Sequence, residues 1–155
     1  MLNWGKNKKM KIQTRRIEIK STSQIEFIDI TDQVQEIIEN SGVREGQVLV
    51  YSPHTSASII INHNEKMLLQ DFMRILYRLV PIGDRYSHDI FEITLAKSSD
   101  GRSNGHSHCK AMLLGTSEVI PIEKGKMMIT HLQSIFLVEL DGGRTRDIII
   151  QVIGI

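Results

Sequence analysis

Short runs of β-branched residues recur along this chain at irregular intervals, and their placement is the strongest constraint on what it can fold into. KIQTRRIEIK and QIEFIDI, GQVLVYS and SASIIIN, and then EVIPIE, KMMITHLQSIFLVEL and RTRDIIIQVIGI have the alternating or continuously apolar character of strands. Ser-Thr-Ser, Pro-His-Thr, Lys-Gly and Asp-Gly-Gly turns lie among them. Two or three helical stretches are inserted between groups of strands and do not alternate with them regularly. That pattern argues against a doubly wound parallel sheet. It predicts an α+β fold with a mixed, largely antiparallel sheet of about seven or eight strands.

Local signals refine this outline. The first two runs flank Ser21-Thr22-Ser23 and predict a β-hairpin. Thr31 or Asp32 then caps a short helix that carries Val34, Ile37 and Ile38 at helical spacing and ends at Ser41-Gly42. A longer helix is predicted over 65–80, where Leu68, Leu69, Phe72, Met73, Leu76 and Leu79 recur on one side and Pro81 stops the pattern. The stretch SSDGRSNGHSH reads as a polar loop.

Of the 155 residues, 41% are hydrophobic and 24% charged, which suits one compact domain with its own core. Residues 1–10, MLNWGKNKKM, are expected to be a disordered basic extension, and 11–155 a single domain. The net charge of +1 creates no field that would attract nucleic acid or an anionic membrane, so neither is expected as a partner. Cys109, the one cysteine, excludes an internal disulfide framework or thiolate cluster and fits a reducing cytoplasm. The longest apolar runs, at 59–61 and 148–150, fall far short of the ~20 residues of a membrane span. The basic start has no apolar stretch behind it that could act as a signal peptide, so a cytoplasmic location is expected.

Chemistry concentrates in histidine. His54, His63, His88, His106, His108 and His131 mostly sit in polar surroundings. Imidazole is a common ligand for zinc and other divalent ions, and catalytic sites often use three protein ligands with one position open, so His88, His106 and His108 are a candidate metal set. Residues 106 and 108 face the same side only if that segment is extended; on a helix they diverge by about 200°. The competing reading is an ordinary histidine-rich surface loop. His54 lies in Ser-Pro-His-Thr-Ser-Ala-Ser, where hydroxyls and turn amides could hold an anion, although the same composition also serves simple turns. His63 and His131 are of second rank, and Cys109 reads as a buried structural thiol. Arg144 and Arg146 flank Thr145, so on a strand both guanidinium groups point to one face and suit a phosphate. Alternatively they pair with Glu139, Asp141 or Asp147.

Read in order, HTSASIIIN, YSHD, NGHSHCKAMLLGTSEVIPIEKGKMM and LQSIFLVELDGGRTRDIIIQVIG resemble the YjbQ-like family, described as secondary thiamine-phosphate synthase, over about residues 12–155. The resemblance implies a compact β-sandwich or barrel-like core, a homotrimer and a histidine-lined pocket. Carried over residue by residue, it implies catalytic roles for His54, His88, His108 and Gln133. It places substrate contacts at Thr55, Ser56, Asn104, Arg144 and Arg146, and a divalent ion, zinc or magnesium, at His88, His106 and His108. Two departures stand out: Thr130-His131-Leu132 where the family has Gly-Thr-Trp, and His63 where it has glutamate. Both are expected to alter the pocket.

The function so implied is a metal-assisted enzyme on phosphorylated small molecules, similar to thiamine-phosphate synthase, which joins a pyrimidine diphosphate to a thiazole phosphate. The alternatives are a zinc-dependent hydrolase of a phosphate ester and a non-catalytic trimeric module that binds a metabolite or anion.

Overall fold

The computed structural model describes residues 9–95 and 102–155. Apart from Lys9 and Met10, the expected basic extension lies outside the described residues. The chain order is β1 (Lys11–Lys20), β2 (Glu26–Asp29), α1 (Thr31–Ser41), β3 (Gly46–Tyr51), β4 (Ala57–Asn62), α2 (Lys66–Leu79), α3 (Ser87–Leu95), α4 (Gly105–Leu114), β5 (Ser117–Glu123), β6 (Lys126–Met127), β7 (Ser134–Glu139) and β8 (Thr145–Gly154). One sheet has the order β1-β8-β3-β5-β6 and the other β2-β7-β4. The α+β class holds. The described pairings are all antiparallel, not mixed, and four helices are described where two or three were expected.

The predicted hairpin between β1 and β2 does not form. β1 pairs along its whole length with β8, from Lys11 opposite Gly154 to Lys20 opposite Thr145, while β2 crosses to the second sheet and pairs with β7. The ten residues of β8 offer β1 a far longer ladder than the four of β2 could. The same crossing recurs between β3 and β4 and between β7 and β8, so strands joined by short turns repeatedly belong to different sheets.

β7 explains the layering, because it is the central strand of its sheet and buried on both faces. Ile135 and Leu137 point into a core shared with Val48, Val50, Ile148, Ile150 and Val152 of the larger sheet and with Val34 and Ile38 of α1. Phe136 and Val138 point the other way, onto Leu76 of α2 and Ala111 of α4. α1 begins at Thr31 behind an N-cap at Ile30, not at Thr31 or Asp32, and the Thr31 hydroxyl instead accepts from the Ile135 N–H at 2.8 Å. α2 starts where expected: the Glu65 carboxylate accepts from the N–H groups of Met67 and Leu68, both at 2.8 Å. Among the described residues no helix is long and apolar enough to cross a membrane.

Gly46 and Gly154 face each other where β3 and β8 meet. A Cβ on Gly46 would stand 2.1 Å from the Ile153 carbonyl oxygen. Gly46→Ala is therefore expected to lose about 1–3 kcal/mol through backbone displacement. The check is urea denaturation, and an unchanged midpoint would show that the two strands can part without cost.

Candidate functional site

Four strand ends converge on one buried ion pair. Arg146, on the inner face of β8, donates from Nε to Glu139 Oε2 at 2.8 Å and from Nη2 to Oε1 at 2.6 Å. It also donates to the Ser56 hydroxyl at 3.1 Å, at the start of β4. Glu139 further accepts from the Ser21 hydroxyl at 3.0 Å, just past β1, and from the N–H groups of Leu140 and Asp141 at 3.0 and 2.8 Å. Burial alone would raise the Glu139 carboxyl. The Arg146 hydrogen bonds, the Asp141 N–H and the Arg146 charge outweigh it and hold the group below its ordinary 4.5.

From this pair the hydrogen bonds run outward. Asp141 accepts from Arg144 Nη2 at 2.6 Å and from the Asn104 amide at 3.2 Å, which ties the β7–β8 connection to the start of α4. Asp89, on α3, accepts from the N–H groups of Asn104 and Gly105 at 3.0 and 2.8 Å and from the Ser103 hydroxyl at 2.6 Å. Its burial would raise its pKa, but these three donors lower it, so it stays ionised as the anionic cap of α4. This long-range cap is why the segment read as a polar loop is helical from Gly105 onward. The earlier part of that segment, residues 98–101, lies outside the described residues.

Between α3, α4 and the β3–β4 connection lies a recess of about 520 Å³ lined by Thr55, Tyr86, Ser87, His88, Gly105, His108 and Cys109. The rings of His88 and His108 meet edge to face with centroids 4.9 Å apart. His108 Nδ1 is 3.0 Å from the Thr55 carbonyl oxygen. A carbonyl can only accept, so Nδ1 carries the proton and the lone pair of a neutral ring is on Nε2. His54 is held differently. Its Nε2 accepts from the Asp147 N–H at 3.1 Å, and burial, then the charge of Arg146, lowers its pKa below 6.5, keeping the ring neutral. Cys109 is half-buried and lines the recess, where the sequence had pointed to a buried structural thiol.

His54, Thr55, Ser56, His88, Asn104, His108, Arg144 and Arg146 thus belong to one region. Arg146 is 5% exposed and committed to Glu139 and Ser56, so its part is to hold the scaffold. Arg144, at the edge, retains 30% exposure of its side chain. Gln133 does not join them. It closes its own turn by accepting from the Thr130 N–H at 3.0 Å, beyond the far end of the β4–β7 ladder, about 20 Å of strand away. His63 and His131 sit at that far end too.

His106 also leaves the set. Because 106 and 108 are on one helix, their side chains diverge, and His106 turns inward with no exposure. Its Nδ1 is 3.1 Å from the buried Lys110 ammonium and 3.2 Å from the Ser107 hydroxyl. Burial, then Lys110, lowers the His106 pKa, and burial lowers that of Lys110. Among the described residues no three His, Cys, Asp or Glu side chains converge as a metal would need. Zinc would lack its third ligand, and the recess offers magnesium no carboxylate. The candidate metal set therefore does not fit within one chain.

Glu139, Asp141, Asp89 and Lys110 carry the architecture, and sequence reading assigned none of them to the site. Glu139 and Asp141 appeared there only as possible surface partners of the arginines. Their acidic character within or beside apolar strands was the available signal.

The comparisons agree with this architecture. A family model described as UPF0047 protein YjbQ-like matches residues 15–155. A UPF0047 protein of Archaeoglobus fulgidus is 41% identical over 135 residues, covering 87% of this chain and 97% of the relative. The UPF0047 protein YugU of Bacillus subtilis is 31% identical over 90% of this chain and 98% of its own length. The crystal structure of a YbjQ-like protein of unknown function from Sulfolobus solfataricus P2 superposes with a TM-score of 0.86 at 32% identity, over 95% of this chain and all, 100%, of the other.

Glu139→Gln would leave the Arg146 charge buried and unpaired, and is expected to cost about 3–5 kcal/mol in denaturant unfolding. The sign with pH follows from the lowered carboxyl. Its contribution is complete above 4.5 and drains as pH falls through the folded value, so wild type and variant converge in acid. A constant gap between them down to strongly acidic pH would show that the pair does not hold the sheets together.

Proposed function

This chain belongs to the UPF0047 YjbQ-like family, and from that premise we propose that it is an enzyme on a phosphorylated small molecule, with the His88–His108 recess as its active site. The observation that supports this is the contact of the two imidazoles in that recess, one of them fixed in tautomer by the Thr55 carbonyl. A ring fixed in this way presents Nε2 to a substrate as base or, once protonated, as acid, without first losing rotational freedom.

The reaction assigned is the transfer performed by thiamine-phosphate synthase. A thiazole nitrogen attacks the methylene carbon of a pyrimidine diphosphate; the new C–N bond forms as the C–O bond breaks, and the electron pair departs with diphosphate. Hydrogen bonds from the His88 and His108 rings and the charge of Arg144 at the edge would stabilise the leaving charge, and Thr55 and Asn104 would orient the reactants. His54 and Arg146 would hold the β4 and β8 ends in place. No step is routed through a metal, because the three-histidine set is dispersed within one chain. Gln133 takes no part within one chain.

The reading includes a cytoplasmic homotrimer. The single cysteine supports the location. Assembly is supported by the outer face of the larger sheet, where Ile12, Tyr51 and Val119 are 67%, 37% and 54% exposed beside Leu49, Ile149 and Ile153.

Two experiments test these points. Purified protein is given the pyrimidine diphosphate and thiazole phosphate, and diphosphate release is followed. His108→Ala is expected to lower kcat by about 10²–10⁴-fold, and Arg144→Ala to raise KM for the phosphorylated substrate and also to lower Tm, because the buried Asp141 carboxylate loses its charge partner. Saturable binding without turnover would make the recess a metabolite-binding module, and absence of both would overturn the assignment. In light scattering, Val119→Arg is expected to reduce a trimer to smaller species; an unaltered mass removes this face from the assembly.

A further inference from the structure

α2 has an apolar side larger than the surface offered to it. Leu76 is buried, but Ile75 and Leu79 remain 52% and 65% exposed. Beneath the helix is an apolar cavity of about 230 Å³ lined by Phe27, Ile60, Phe72, Ile75, Leu76 and Leu114, with Asn62 as its one polar neighbour. Aromatic rings form part of its wall: Phe27 has centroid separations of 6.0 Å to Phe72 and 6.2 Å to Phe136. A cavity so lined offers a single polar side chain, too few partners to hold an ordered water, and favours an apolar occupant. At about 30 Å³ per water-sized group, it accommodates roughly eight methylene-sized groups.

Phe72 and Ile75 also line a neighbouring recess of about 440 Å³, whose rim carries Asp71, Arg74 and Arg78. Asp71 is paired with Arg74. Arg78 forms no ion pair among the described residues. An apolar slot thus adjoins a groove with an uncompensated guanidinium at its edge.

We propose that this slot binds a free single-chain fatty carboxylate, with the aliphatic chain between α2 and the smaller sheet and the carboxylate on Arg78. Charge selects this occupant. Asp71, the one carboxylate lining the recess, is paired with Arg74, so the charge left open beside the apolar slot is that of Arg78 and it asks for an anion joined to an apolar tail. The slot shares no residue with the His88–His108 recess, so the inference stands apart from the proposed reaction.

The test is titration of the whole protein with sodium decanoate below its micelle concentration, followed by methyl NMR of Ile60, Ile75, Leu76 and Leu114. One decanoate per chain is expected, saturably. Decanol, and Arg78→Glu with decanoate, are each expected to bind about 10-fold more weakly, and Ile75→Trp to fill the slot and abolish binding. Residues 75 and 78 are both exposed, and thermal melts confirm that the variants fold. The proposal is overturned by an absence of saturable shifts, by equal binding in both variants, or by a response to anionic phospholipid vesicles alone. A fall in assembly size with Ile75→Trp, without decanoate binding to the wild type, would instead make this face a contact between copies.

Discussion

The Glu139–Arg146 pair is the constraint on which the rest of the molecule depends. The two residues come from different sheets, on strands separated by a short connection, and neither charge is stable in the interior without the other. Ser21 and Ser56 complete the hydrogen bonding, so the ends of β1, β4, β7 and β8 are fixed at one point. A purely apolar contact there would hold the sheets together but would not specify which strand end meets which. Directional, charge-assisted hydrogen bonds do.

The candidate site is built outward from that point. The backbone N–H of Asp141 is held by Glu139, and its carboxylate holds Arg144 and Asn104. Asn104 begins α4, whose first turn is capped from α3 by Asp89, and this brings His88 and His108 into contact. Thr55, next to the Ser56 that Arg146 holds, supplies the carbonyl that orients His108. The paired imidazoles therefore stand on supports that are themselves buried or hydrogen-bonded. The opposite side of the smaller sheet is less completely filled: α2 rests over an apolar space instead of interlocking with it.

Local pattern located most strands and the long helix, because each is specified by its own periodicity and punctuation. β8 and α2 are clear examples: one is a β-branched run behind an Asp-Gly-Gly turn, and the other carries leucines at helical spacing and stops at Pro81. The failures share a cause. The hairpin expected around Ser21-Thr22-Ser23 assumed that adjacent strands pair, whereas β1 found a longer partner near the opposite end of the chain. The loop expected near His106 overlooked a cap supplied by Asp89, fifteen and sixteen residues before the amides it accepts from.

By itself the sequence determined the α+β class, the polar segments that carry the histidines, the family and the exclusion of a disulfide framework. These follow from residue type and short spacing. Only the tertiary structure decided which histidines meet. It paired His88 with His108, turned His106 inward to Lys110, left Gln133 beyond the far end of the β4–β7 ladder and consumed Arg146 in the scaffold. Helical rotation separates residues two apart, while packing joins residues distant in the chain, and neither outcome is written in the identity of the side chains alone.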